Sequence, residues 1–387
     1  MLPATLAWQM SVVSIGYAAL TISGSATAIG LVSAATGISM LLFSLVGGVV
    51  ADQAPGRTIL LVAQSGLAAG SLALLAVSLA GLLEVWHLAI FAFVQGIAFS
   101  FNMPARQTYA AQVVGRRLLR SAVALNNAGV NFCRIAGPAI AGPLLAVAAV
   151  GVNGVFGLMT ALYCLVLVAL VRLPPVPPAV ESTAEPEMGA RDRLLEGLRY
   201  IRSSPILLVL LSLACVTLFF GMPYQHLMPV FSERVFEVGP IGLGIMMGAN
   251  GLGALAGSLF VAASSGLARP ALLQIACGTG FGLALVGFAL APTFAVAVFL
   301  MLLVGFASAA YIAFNSTLIM GNTEPRLYGR VLSVYLLTFA VTPVAALPLS
   351  WLTEQVGART AVASFGVVVV LVVLGAALFY PPYRRVK

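Results

Sequence analysis

The sequence predicts an all-α, polytopic membrane protein of about 12 transmembrane helices in two pseudo-symmetric six-helix halves. Three observations predict it. The 387-residue chain is 61% hydrophobic and 8% charged, with a mean hydropathy of +1.08, whereas a soluble chain of this length needs far more charge to cover its surface. Apolar runs of about 20 residues, enough helix to cross roughly 30 Å of hydrocarbon, recur from end to end. They are too long and unalternating for barrel strands, so the backbone must satisfy its polar groups as helix. The third observation is the placement of basic residues in alternate breaks between runs, which requires an even number of spans.

In chain order the runs lie near 2–22, 27–50, 58–82, 85–105, 121–146, 151–172, 205–228, 239–263, 270–291, 293–318, 331–352 and 358–380. Of the 19 Lys and Arg, 16 fall on one side of this arrangement: in the breaks at Arg57, Arg106–Arg120, Arg269 and Arg326–Arg330, in the central segment, and in the tail. Arg234 and Arg359 fall on the other side, and Arg134 lies within a span. The skew places both termini and the central segment in the cytoplasm.

Residues 174–190, PPVPPAVESTAEPEMGA, form a Pro-rich then acidic linker that cannot span a membrane. The sequence RDRLLEGLRYIRSSP follows and reads as a short amphipathic helix on the inner leaflet. The organisation is therefore an N-terminal bundle over 1–173, a cytoplasmic linker with its helix over 174–203, and a C-terminal bundle over 204–387. The halves are weakly similar. Asn102 precedes a basic loop leading to Arg116, and Asn315 precedes one leading to Arg330. Parallel six-span repeats mark a transporter architecture with its substrate site between the halves.

Other functions find little support. The four cysteines each sit singly in an apolar run, with no ligand spacing, so neither a metal nor a cofactor is expected. The basic residues flank spans instead of forming a soluble basic domain, which argues against nucleic acid. An integral membrane enzyme would need clustered acids, His or a nucleophile–base pair. The 11 acids are scattered and the 2 His far apart. No nucleotide-binding Gly-x-x-x-x-Gly-Lys-Ser/Thr run is present, so ATP does not drive the protein directly.

The informative residues lie in and beside the spans. In GGVVADQAPGRTILL, residues 47–61, Gly47 and Gly48 permit close helix approach, Asp52 can latch onto a helix N-terminus or an arginine, and Arg57 stands at the mouth of span 3. In span 5, NNAGVNFCRIAGPAIAGP sets a single cation, Arg134, just before Gly137, Pro138 and Gly142. Pro bends a helix and Gly lets helices pack closely, so these three residues are expected to shape and seal the outer half of the span. Arg134 lies 14 residues beyond Arg120, about 21 Å of helix, too deep to snorkel. Intramembrane charge is rarely idle.

Arg134 shares a stripe with Asn127 and Asn131, and Ser308, Tyr311 and Asn315 form another at helical spacing. Gln95, Asn102, Tyr224, Gln225, His226 and Asn250 are further polar candidates for a cavity lining, although such residues also serve as interhelical glue. Glu84, Glu233 and Glu237 sit at span ends, which leaves Arg134 without an evident carboxylate partner.

The loop at 47–61 resembles the Gly-x-x-x-Asp-Arg-x-Gly-Arg-Arg signature of the major facilitator superfamily. Gly48, Asp52 and Arg57 match it, while Gln53 and Thr58 depart from it and weaken the latch. Gln95-Gly96 and the Gly-Pro run of span 5 resemble further motifs of that superfamily, with Ala92 where proton-coupled members carry Arg. PARQTYAAQVV, EGLRYIRSSP, GMPYQHLMPVF and YGRVLSVY resemble a branch of bacterial exporters related to the enterobactin exporter. That branch usually carries an acid in its first span, and this chain does not.

The resemblance implies a multi-pass protein of the bacterial cytoplasmic membrane, monomeric, surrounded by lipid. It further implies proton-coupled efflux of a small amphipathic or anionic metabolite, siderophore or drug by alternating access. An importer of the same fold, or a non-transporting sensor or scaffold, is the alternative. Expected substrate contacts are Arg134, Asn127, Asn131, Gln95, Asn102, Tyr224, Gln225, His226, Tyr311 and Asn315. Expected gating residues are Gly48, Asp52, Arg57, Gly137, Pro138 and Gly142.

Overall fold

A computed structural model describes residues 1–173, 190–264 and 269–384, all of whose regular structure is helical. The first bundle comprises α1 (Leu2–Ser23), α2 (Ala26–Gln53), α3 (Gly56–Leu79), α4 (Val85–Ala146) and α5 (Gly151–Arg172). Then come α6 (Ala190–Ser203), α7 (Pro205–Gly221), the short α8 (Met228–Val230), α9 (Gly239–Ala263), α10 (Pro270–Ala289) and α11 (Phe294–Gly321). The chain ends with α12 (Tyr328–Thr338), α13 (Val341–Val356), α14 (Ala358–Phe379) and α15 (Pro381–Arg384). Among the described residues, 11 segments are long and apolar enough to cross a membrane.

The sequence places two spans within α4, and its geometry agrees. Arg106 Nη2 donates to Asn126 Oδ1 at 2.8 Å, yet 20 residues of straight helix measure about 30 Å. The segment therefore doubles back between these residues. Its two arms, 85–106 and 125–146, act as separate spans of the first bundle. The side chains of 110–124 lie outside the description, as do the linker at 174–189 and the tail at 385–387.

Two spans are broken where proline demands it. α7 ends at Gly221 and gives way to a 3₁₀ turn over Pro223–Leu227, with a π-turn over Phe231–Val235 beyond α8. Pro223 and Pro229 lack the N–H that would continue the α-ladder. The ring of Pro343 likewise conflicts with the Phe339 carbonyl four residues back, and the chain breaks between α12 and α13. A broken helix frees backbone at membrane depth, which is tolerated only inside protein or along a cavity.

Packing within each half is close enough that several glycines cannot be anything else. A Cβ at Gly47 would meet the Ser100 carbonyl oxygen of α4 at 2.4 Å, and one at Gly305 on α11 would meet that of Asn250 on α9 at 2.0 Å. α6 packs against α12 and α7, with Glu196 and Arg330 paired at 2.5 Å and the Tyr200 hydroxyl accepting from the Glu324 N–H at 3.1 Å.

The halves meet through α2 with α13 and through α4 with α9. The contacts concentrate toward the arginine-poor face. A Cβ at Gly30 would meet Ser350 Cβ at 2.8 Å, and one at Gly142 would meet the Pro240 carbonyl oxygen at 2.7 Å and Gly244 Cα at 2.9 Å. Polar clamps lie outside this apolar seal. Glu354, at the end of α13, accepts from Ser25 Oγ at 3.0 Å and from the Ala26 N–H that opens α2. A carboxylate at a helix N-terminus is held by the free amides and the helix dipole. Arg234 donates to the Gly24 carbonyl, and the Tyr17 hydroxyl reaches Glu233. The arginine-poor face is closed in this conformation.

Two predictions follow from these contacts. Gly305→Ala forces α9 and α11 apart at a fixed interface and should cost about 1–3 kcal/mol, read as a lower unfolding midpoint in detergent. Gly142→Ala touches a contact made only when the arginine-poor face is shut. It should leave the unfolding midpoint within about 1 °C while shifting the population about tenfold toward the opened face, the equivalent of about 1.4 kcal/mol. Energy transfer between dyes at Thr21→Cys and Gln355→Cys, both exposed on that face, measures the shift.

Candidate functional site

The second arm of α4 divides cleanly by angle, at about 100° per residue. Gly129, Cys133 and Gly137 share one face and pack on α1: a Cβ at Gly129 would touch Leu2, one at Gly137 would touch Gln9, and Cys133 Sγ reaches the Leu2 carbonyl at 3.5 Å. Pro138 and Gly142 lie roughly opposite and meet Gly244 of α9. Leu125 and Phe132, 74% and 67% exposed, mark the lipid face. One sector is left, between α1 and α9 and pointing away from lipid. Arg134 occupies it, with half-buried Asn131 alongside.

Arg134 is exposed to solvent although protein surrounds it on nearly every side. It sits 12 residues from the end of α4 at Ala146, about 18 Å of helix and thus near mid-depth. A guanidinium at that depth needs water or an anionic partner around it. No described residue accepts a hydrogen bond from it, and its electrostatic neighbour is the Tyr224 hydroxyl.

The break after α7 supplies the facing wall. Tyr224 is 1% exposed and its hydroxyl accepts from Asn250 Nδ2 at 2.9 Å, with Gln225 Nε2 at 3.4 Å. His226 Nδ1 lies 3.0 Å from Ser33 Oγ on α2, a polar contact between the halves at the edge of the seal. Pro223 ends the α-ladder, and in the 3₁₀ turn that follows Tyr224 and Gln225 engage their own half while His226 reaches α2 of the other.

A small cavity of about 10 Å³, room for a single water, lies within the C-terminal half, lined by Thr217, Met222, Phe281, Ser308, Tyr311, Asn315 and Tyr335 among others. The Tyr311 hydroxyl takes a hydrogen bond from Thr217 Oγ1 at 3.1 Å, and Asn315 Nδ2 donates to the Leu210 carbonyl at 3.1 Å. Asn315 Oδ1, buried and unpartnered within the protein, is left as a free acceptor in the lining. Phe281 links this pocket to the first site through its ring contact with Tyr224 at 6.4 Å.

The remaining expected residues are placed elsewhere. Gln95 is 4% exposed and donates to Ser11 Oγ at 2.5 Å inside the N-terminal bundle. Asn102 is half-buried on the first arm of α4, two residues beyond Ser100, on which Gly47 packs. Arg57 donates from Nε to Leu170 O at 2.9 Å and from Nη2 to Val171 O at 2.8 Å, capping the end of α5 within its own half. Gly137 packs on α1, whereas Pro138 and Gly142 take part in the seal between halves. The side chains of Asp52 and Asn127, and the surroundings of Gly48, fall outside the described residues. Sequence reasoning missed Glu354 and Arg234 as clamps. The available signal was that each is a charge at a span end on the charge-poor side, opposite the Gly24–Ser25 corner.

The family model for transmembrane secretion effectors matches residues 2–383. The enterobactin exporter EntS of Shigella flexneri is 27% identical over 336 residues, covering 84% of this chain and 78% of that protein. Among solved structures, the nucleoside transporter NupG superposes with a TM-score of 0.77 at 12% identity, covering 98% and 97% of the two chains. The xylose transporter XylE from E. coli, in an inward open conformation, gives 0.73 at 15% identity, covering 98% and 95%. These likenesses carry the fold. With a match spanning both bundles, the chain belongs to the transmembrane secretion effector family, and it is a multi-pass membrane transporter of the major facilitator fold, not an enzyme.

Proposed function

We propose that the protein exports a small amphipathic anion from the cytoplasm by alternating access, acting as a monomer in the bacterial cytoplasmic membrane with both termini inside. The single observation carrying this reading is Arg134: a solvent-reached cation at mid-depth, between the halves, with no described hydrogen-bond acceptor of its own. An anionic group of the substrate would pair with it through charge-assisted hydrogen bonds. Asn315 Oδ1 is suited to a substrate N–H or O–H. The relation to an enterobactin exporter supports the outward direction and a metabolite or siderophore cargo. The closed arginine-poor face supports a cytoplasm-open loading state, given that basic residues favour the cytoplasmic side.

Comparing metabolites released by expressing and deleted cells identifies the cargo. Arg134→Gln, at undiminished membrane abundance, should lower its release at least about tenfold, because a charge-assisted hydrogen bond contributes about 1.5–3 kcal/mol. Release at the wild-type rate would refute the assignment.

A second reading, in which a proton is the counter-ion, is favoured by the His226–Ser33 contact, since His226 is a titratable side chain that bridges the halves. On that reading His226→Gln removes the response of transport to an imposed pH gradient and leaves cargo binding intact. Flux assays in proteoliposomes at matched and unmatched pH decide it.

A further inference from the structure

All 11 acidic residues lie outside the span interiors. Asp52, Glu84, Glu233, Glu237, Glu324 and Glu354 stand at span ends or in the breaks, and five more fall between Glu181 and Glu196. Of the 19 Lys and Arg, Arg134 is the one set within a span interior. The transport path of the empty protein therefore carries one fixed positive charge that no intramembrane carboxylate cancels.

The position of that charge relative to the seal gives it a consequence. The halves close where Gly142 meets Pro240 and Gly244 and where Gly30 meets Ser350, all toward the arginine-poor face. Arg134 lies at the inner edge of this barrier, where its carbonyl and Ile135 still pack against Gly251 of α9, and its side chain projects into a gap reached by solvent. Water in that gap holds the electrical potential of the arginine-rich compartment, so nearly the whole transmembrane field drops across the seal. When the protein rocks to open the opposite face, the seal re-forms on the other side of Arg134, and the guanidinium takes the potential of the other compartment. Switching the empty protein thus moves about one positive charge through the field without Arg134 leaving its helix.

We propose that the membrane potential acting on Arg134 drives the return of the empty carrier and thereby powers net export of a monovalent organic anion. Loaded, the site is neutral, Arg134 plus one anion, and its outward step moves no net charge. Empty, it is cationic, and an inside-negative potential pulls it back to the cytoplasm-open state. One negative charge leaves the cell per cycle, and no coupling proton or carboxylate carrier is required. The anionic cargo rests on the function proposed above, while the charge movement of the empty protein does not.

The test therefore uses the empty protein. The four native cysteines are replaced by alanine, and Thr21→Cys and Gln355→Cys are labelled in proteoliposomes with membrane-impermeant donor and acceptor dyes. Only molecules with the arginine-poor face outward are labelled. A potassium gradient with valinomycin sets the potential at equal pH on both sides. Stepping from 0 to 100 mV inside-negative should shift the population toward the closed outer face by up to about 50-fold, the limit for one charge crossing the full field. Arg134→Lys should keep the shift and Arg134→Gln should abolish it. An unresponsive wild type, or a response in Arg134→Gln as large as in the wild type, overturns the proposal. If the cargo reading alone is wrong, the voltage response persists while release of anions shows no dependence on Arg134.

Discussion

A guanidinium at the middle of a membrane protein has three ways to exist: paired with an acid, expelled to an interface, or bathed in water. This sequence closes off the first by leaving every acid outside the span interiors, and mid-depth on α4 closes off the second. The third requires an aqueous gap at mid-membrane. Two features of the architecture bear on that requirement: the proline break after α7, which sets Tyr224 near Arg134, and a seal formed by close glycine contacts toward one face. Removing water from around Arg134 without supplying an anion would be unfavourable, so the closed states on either face both need room for hydration or for cargo.

The seal itself must be tight yet reversible. Contacts between backbones at glycine, as at Gly142 with Gly244, bring the halves close without interlocking side chains. The clamps beyond them are few: Glu354 at the start of α2, Arg234 on Gly24, His226 with Ser33. The charge-assisted bonds of Glu354 and Arg234 contribute only about 1–3 kcal/mol each, and the His226–Ser33 contact about 0.5–1.5 kcal/mol. A closed face held by a handful of them stays within a few kcal/mol of the opened one, which is the range a bound ligand or a membrane potential can shift.

The fold was legible in the sequence because span length, hydropathy and arginine placement are direct consequences of the bilayer, and each acts on whole helices. Arg134 was legible for the same reason, as the one charge in a 51-residue stretch between Ser121 and Val171. What could not be read were the partners. Gln95 and Arg134 look alike as polar residues in spans, yet Gln95 bonds Ser11 inside a bundle while Arg134 faces the gap. Helical periodicity gives relative angle along one helix and says nothing of which neighbour lies at that angle. Arg57 shows the same limit, since its place at a loop mouth fits both an interdomain latch and the α5 cap that it forms. The breaks in spans 7 and 11 follow from Pro223, Pro229 and Pro343, but which polar groups they swing into the cavity is decided by tertiary packing.

The proposed rocking between two states requires each half to move as a body, and buried polar groups inside the halves supply rigidity of that kind. In the first half Gln95 of α4 bonds Ser11 of α1, and Thr160 of α5 bonds Ser71 of α3 at 3.0 Å. In the second, Thr217 of α7 bonds Tyr311 of α11, and Tyr383 bonds Gln274 of α10 at 2.9 Å. Bonds of this kind are strongest where water is absent, and breaking one leaves a buried group unsatisfied. The two halves thus hold themselves together through dry internal pairs and hold each other through wet, partly exposed ones. That difference in environment, more than any difference in number, is what lets the interface between halves open while each bundle stays intact.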